Sequence, residues 1–192
     1  QQLGDRLYRQ ITKARGDLFT SKFVQSGAPF LFLNERYKSQ LTITDNALIY
    51  VERKNFDPDI VNKDFKFIVQ RMMEVFEFNE DNFRVAGKIY RYVLDHPKAL
   101  EVLKGLVPAF AKDPLFVLRL RPTFREDGMN IHLQFSAVEK DREPVTNLVR
   151  IECDINNSDQ GVGHKLDRVM EVVAYADQYN QARLPLFLEG RL

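Results

Sequence analysis

Arg71-Met72-Met73-Glu74-Val75-Phe76 returns near the other end of the chain as Arg168-Val169-Met170-Glu171-Val172-Val173. At 3.6 residues per turn, Arg and Glu three apart share one side of a helix, and the apolar positions fall on another. Each copy follows an apolar, strand-like run: Leu48-Ile49-Tyr50-Val51-Glu52 in the first half, Leu148-Val149-Arg150-Ile151-Glu152 in the second. A strand-plus-helix unit that recurs predicts an internal duplication. Helices on one face of a mostly antiparallel sheet make an α+β fold. The expectation is one domain over 1–192, with one repeat over about 19–94 and the other over about 114–192. The two are related by a pseudo-two-fold axis and share one sheet, and an N-terminal helix covers about 3–15.

In the first half, Ala28-Pro29-Phe30-Leu31-Phe32-Leu33 is a continuous apolar run, hence a strand covered on both sides or an interface strand. Gln40-Leu41-Thr42-Ile43-Thr44 alternates, and Asp45-Asn46 turns it back into Ala47–Glu52 as a hairpin. Leu41, Ile43, Ile49 and Val51 are expected to face the core, with Thr42, Thr44, Tyr50 and Glu52 opposite. Asp57-Pro58-Asp59 opens a helix with a cap, a proline in the first turn and acid at the positive end. Val61, Phe65, Ile68, Met72, Val75 and Phe76 form its buried stripe. Leu3, Leu7, Tyr8 and Ile11 give the N-terminal helix an apolar side, set against Arg6, Arg9, Lys13 and Arg15.

Phe83 to Leu94 reads as a strand, and Asp95-His96-Pro97 caps a short helix to about Leu106. The second half then alternates over Phe116–Arg121, turns at Asp127-Gly128, and alternates again over Asn130–Ala137. A charged loop, Glu139–Glu143 with Pro144, leads to a strand over Leu148–Ile155. The last helix runs from about His164 to Ala182, and the tail Leu184-Pro185-Leu186-Phe187-Leu188 is too apolar to hang in water.

Twenty-eight basic against 27 acidic residues leave a formal charge of +1, so no overall field marks the chain for nucleic acid or an anionic membrane. No apolar run approaches the roughly 18 residues of a membrane span. The lone cysteine, Cys153, excludes an internal disulfide and fits a reducing, cytoplasmic setting. The opening Gln1-Gln2, without Met, reads as a trimmed start.

Three constellations are candidates for chemistry. If the strands of the second half pair consecutively, Arg119, Arg121, His132, Gln134, Arg150, Glu152 and Asp154 point the same way, opposite the helices. Such a face suits an anionic ligand or a phosphodiester backbone, but a solvated face of cross-strand ion pairs is the favoured reading. Aromatics for base stacking are limited to Tyr50, Tyr90 and Tyr92. Gly161, Gly163, His164 and Lys165, just before the last helix, resemble an anion cradle, although the phosphate-loop spacing is absent. His96, His132 and His164 are scattered with no ligand spacing, so neither a metal nor a cofactor is implied. Cys153 alternates inward with Ile151 and Ile155 and reads as a buried thiol, and no catalytic triad is visible.

The stretch Arg84-Val85-Ala86-Gly87-Lys88-Ile89-Tyr90, the acidic strand Ile151-Glu152-Cys153-Asp154-Ile155 and the ending Leu186-Phe187 together resemble a sporadically distributed bacterial family of uncharacterised function. That resemblance carries no catalytic residues with it. The repeated meander-plus-helix layout is also similar to the fold of bacterial export chaperones, which bind unfolded chains. The functional expectation is a non-enzymatic protein that binds another polypeptide or itself. Its interface would use Phe30, Phe32, Leu186, Phe187 and Leu188, with no membrane partner. The alternative is a nucleic-acid or anionic-ligand module on the basic sheet face.

Overall fold

Alternating side chains make the strands of this protein, and the turns between them decide which residues share a face. The computed structural model describes residues 2–53, 57–78, 83–95, 119–140, 143–157 and 163–188. The chain divides into two compact units, Gln1–Asn82 and Phe83–Leu192. Among the described residues there are three helices and two antiparallel sheets, so the fold is α+β, and the strands make two separate sheets rather than one. The short helix expected to about Leu106 and the strand residues 116–118 lie outside the described residues.

In the first unit, helix α1 (Gln2–Ala14) is followed by β1 (Ser21–Phe23), β2 (Phe30–Asn34), β3 (Ser39–Ile43) and β4 (Leu48–Val51), paired in chain order, and then by α2 (Pro58–Phe76). Cross-strand partners share a face. The row Lys22–Phe32–Leu41–Tyr50 therefore faces one way and the row Phe23–Leu31–Thr42–Ile49 the other. Phe32 and Leu41 are 0% exposed, and Phe32 meets Phe19 and Tyr8 edge-on at 5.8 and 5.2 Å. Ile49 was expected inside and Tyr50 outside, and the structure reverses them. The hairpin pairs Ile43 with Leu48 and Leu41 with Tyr50, so odd positions of β3 share a face with even positions of β4. Tyr50 is then half-buried, and burial raises its phenol well above the ordinary value.

Helix α2 begins as its sequence dictates. The Asp57 side chain accepts from the Asp59 N–H at 3.0 Å, with Pro58 in the first turn. Ile68, Val69, Met72 and Val75 are buried, and Glu77 ends the helix in the left-handed region with φ 55°. Helix α1 packs against α2, with Leu7 and Ile11 fully buried.

In the second unit, β5 (Gly87–Asp95), β6 (Arg119–Leu120), β7 (Thr123–Glu126), β8 (Met129–Lys140) and β9 (Glu143–Asn157) precede helix α3 (Leu166–Leu188). The sheet order is β5-β9-β8-β6, with β7 on the same edge of β8 as β6. β6 and β7 keep one register with β8 on both sides of Pro122, whose carbonyl still accepts from Leu133 N–H at 3.0 Å. Asp127 and Gly128, with φ 50° and 77°, form the expected turn, since a two-residue hairpin of this kind needs positive φ at both positions. The strand expected over Phe83–Leu94 is β5, but it pairs with β9 rather than closing a first repeat. Of the loop expected over Glu139–Glu143, the residues Glu139, Lys140 and Glu143 instead carry the β8–β9 ladder onward past a register shift between Ala137 and Glu139, and residues 141–142 lie outside the described residues.

Helix α3 covers the face that carries Ile131, Leu133, Phe135, Ile151, Cys153 and Ile155, all buried. Asp177 of the helix takes Lys88 at 2.5 Å and also accepts from the Tyr90 hydroxyl. The apolar tail is part of this helix, with Leu184 buried at 1% exposure and Pro185 inside it. A proline there leaves the Gln181 carbonyl, four residues earlier on the exposed side, without its backbone donor.

The matched hexapeptides sit at opposite ends of their helices: residues 71–76 close α2, and residues 168–173 open α3. Their shared content is local. Arg71 pairs with Glu74 at 2.6 Å, and Arg168 pairs with Glu171 at 2.8 Å, each across one helical turn.

Candidate functional site

Each unit covers one face of its sheet with helix and leaves the other face open to at least some of its residues. In the first unit the open face mixes apolar residues with Ser21, Gln40 and Thr42. Phe23 at 61% and Ile49 at 51% exposure flank Leu31 and Thr42 in one row, and Leu33 and Val51 stand in the neighbouring row. Phe30 and Phe32, expected at an interface, are on the inner face. Phe32 is fully buried and Phe30 lies 6.2 Å from the Phe76 ring. The run Phe30–Leu33 thus splits by parity, Phe inward and Leu outward. Of the tail residues, Leu186 is half-buried on α3, while the side chains of Phe187 and Leu188 lie outside the described residues.

In the second unit the open face is polar, and the structure assembles there the constellation that strand alternation suggests. Ile89, Asp154, His132 and Thr123 form one row across the sheet. Arg91, Glu152 and Gln134 form the next, with Arg121 beside Gln134, and Val93, Arg150, Ser136 and Arg119 the third. The charged groups meet each other. Arg91 Nε lies 2.6 Å from Glu152 Oε2, and Arg121 Nε donates to Gln134 Oε1 at 2.7 Å. Thr123 Oγ1 is 3.1 Å from His132 Nδ1, and Asn156 donates to Asp154 Oδ1 at 3.3 Å. Arg150 is exposed, and the Arg119 side chain lies outside the described residues. Tyr90 and Tyr92 belong to the opposite face, under α3, so this open face has no described aromatic ring on which a base would stack. Arg91, from the edge strand, is a member of this face that consecutive pairing of the later strands does not reveal.

Three of the four residues expected to cradle an anion are described. Gly161 lies outside the described residues, Gly163 is half-buried and Lys165 is exposed. His164 turns inward to Asn157. Asn157 Oδ1 accepts from Ala86 N–H at 2.6 Å, which leaves Nδ2 facing His164 Nε2 at 2.8 Å. Nδ2 is a donor, so Nε2 is the accepting ring nitrogen in this contact. This is a clasp between the end of β9 and the start of β5, and Asn157 Nδ2 also reaches the Arg84 carbonyl at 3.4 Å.

Cys153 is fully buried beneath α3, and burial pushes its thiol up to about 12. A neutral, enclosed thiol is a poor nucleophile. Among the described residues no group of three or more His, Cys, Asp or Glu side chains is placed to hold a metal ion. No described helix is long and apolar enough to cross a membrane.

No family model matches the chain, and neither a curated protein nor a solved structure matches it.

Proposed function

We propose that this chain binds polypeptide, another copy of itself or a foreign one, without catalysing a reaction. The observation that supports this reading is the open face of the first sheet, where Phe23 and Ile49 stand more than half exposed beside Leu31 and Leu33. Apolar side chains gathered on one uncovered face mark an interaction surface more often than a solvated one. A free, buried Cys153 suits a reducing compartment, and we place the chain in the bacterial cytoplasm.

The experiment is the mass of the full chain in solution, at low and high salt, beside the double variant Phe23→Glu, Ile49→Glu. An assembly that persists in high salt and falls apart in the variant supports the reading. A wild-type monomer that binds an apolar fluorescent dye no better than the variant sinks it.

An anionic-ligand role for the second sheet has weaker support, because Arg91 and Arg121 are engaged within the face by Glu152 and Gln134. It predicts binding of oligonucleotide that falls steeply with salt.

A further inference from the structure

β5 is the end strand of the second sheet, nine residues long and paired on one side with β9. Among the described residues no strand pairs with its other side. Which of its backbone groups point outward follows from the clasp at its start. Asn157 N–H donates to the Ala86 carbonyl at 3.0 Å, in the same register that pairs Gly87 with Asn156 and Lys88 with Ile155. Backbone groups along an antiparallel strand alternate between the two sides. Ala86, Lys88, Tyr90 and Tyr92 therefore direct their N–H and C=O toward β9, and Ile89, Arg91 and Val93 direct theirs away from it.

The same three residues carry their side chains on the open face, Ile89 at 47% and Val93 at 51% exposure, with the Arg91 side chain 64% exposed between them. A long, regular edge with apolar side chains is a template for another strand. Natural edges are protected by proline, bulges or short length, and Gly87–Asp95 has no proline and an unbroken register.

We propose that β5 accepts an extended segment of a foreign polypeptide as an added antiparallel strand. Hydrogen bonds to Ile89, Arg91 and Val93 hold its backbone. Side chains directly opposite one another interact, so the segment carries an acidic residue across from Arg91 and apolar residues across from Ile89 and Val93. Arg91 uses Nε on Glu152, and its guanidinium has further donors for a second carboxylate. A second copy of β5 fits less well. The antiparallel register that sets Ile89 against Val93 also sets Arg91 against Arg91, and like charges directly opposite repel. This site uses a different unit from the apolar face above and stands or falls separately from it.

The test is amide hydrogen exchange, followed by NMR on the full chain, with the capped peptide Thr-Val-Thr-Glu-Thr-Val-Thr as probe. The expected result is fast exchange at Ile89, Arg91 and Val93 in the free chain, slowed at least about tenfold by the peptide, with Tyr90 and Tyr92 slow throughout. Replacing the peptide's Glu by Lys is expected to weaken binding at least about tenfold through repulsion from Arg91. Val93→Pro removes an outward N–H, leaves the β9 ladder intact and is expected to abolish the effect. Phe23→Glu is expected to leave it unchanged. Slow exchange of the three amides in the dilute free chain, protection that rises with protein concentration alone, no response to the peptide, or equal binding of the Glu and Lys peptides each overturns the proposal.

Discussion

Arg15 Nη2 lies 2.9 Å from Asp64 Oδ1 and fastens the end of α1 to the side of α2. Asp64 is buried at 7% exposure, and burial raises its carboxyl above the usual value in spite of the guanidinium beside it. Desolvation outweighs attraction here, so the pair is held together more than it holds the unit together. Removing Arg15 is the costly change. Arg15→Ala is expected to destabilise the protein by about 1–3 kcal/mol in urea denaturation, because a buried carboxylate is left without its cation. Asp64→Asn is expected to cost less than Arg15→Ala, and the reverse order would contradict this account.

Asn157 joins three segments through one amide, and its orientation is fixed by Ala86 N–H on one side and His164 Nε2 on the other. Asn157→Asp places a carboxylate oxygen against the accepting ring nitrogen and is expected to cost about 1–3 kcal/mol. Thermal melts of both proteins at neutral pH check it, and a variant as stable as the parent contradicts this account.

A side chain at Gly87 meets the Ile155 carbonyl oxygen at 2.8 Å, a backbone atom that cannot swing aside. Gly87→Ala is expected to destabilise by about 1–3 kcal/mol, since the β5–β9 backbones must part. The control is Gly16→Ala, whose new carbon sits at an ordinary 3.4 Å from the Thr12 carbonyl, with an expected change within about 0.5 kcal/mol. Urea midpoints of the two variants decide it.

The Cys153 thiol rises from 9.0 to about 12 on burial, and Tyr92 and Tyr179 rise from 10.0 to about 12. The folded state holds these protons after the unfolded chain has released them. Their contribution is therefore complete below about pH 9 and is lost as pH climbs toward about 12. Stability is expected to fall across that window, and Cys153→Val is expected to flatten its lower part. Alkylation of Cys153 in the native protein is expected to be at least about a hundredfold slower than in urea, since it waits for unfolding.

Sequence pattern reached the elements and much of their faces, and it stopped where pairing partners matter. The inward thiol at Cys153 follows from alternation alone, and so does the outward set His132, Gln134, Arg150 and Glu152. The swap of Ile49 and Tyr50 does not. Both hairpin strands alternate, and only the cross-strand register tells which parity of β4 joins Leu41. Asn157 and Gly87 carry no local signal, because their partners are about seventy residues distant, as Ala86 is from Asn157 at a separation of 71. The helical tail was obscured by Pro185, whose local preference is overruled by the burial of Leu184. The repeated hexapeptide corresponds to a shared helical surface pattern, an Arg and a Glu one turn apart over an apolar stripe.

The clasp at Asn157 also bears on the order of assembly. β8 and β9 are joined by a short connection and zip from Lys140–Glu143 outward, a local event on the microsecond scale of hairpins. β5 pairs with the far strand of that hairpin only by closing a much longer stretch of chain, an entropic cost met before any of its ladder bonds form. The strand whose outer edge is proposed to accept a guest is thus, on topology, among the last to join its own sheet. Until β5 docks, β9 itself presents an open edge to whatever extended segment is nearest.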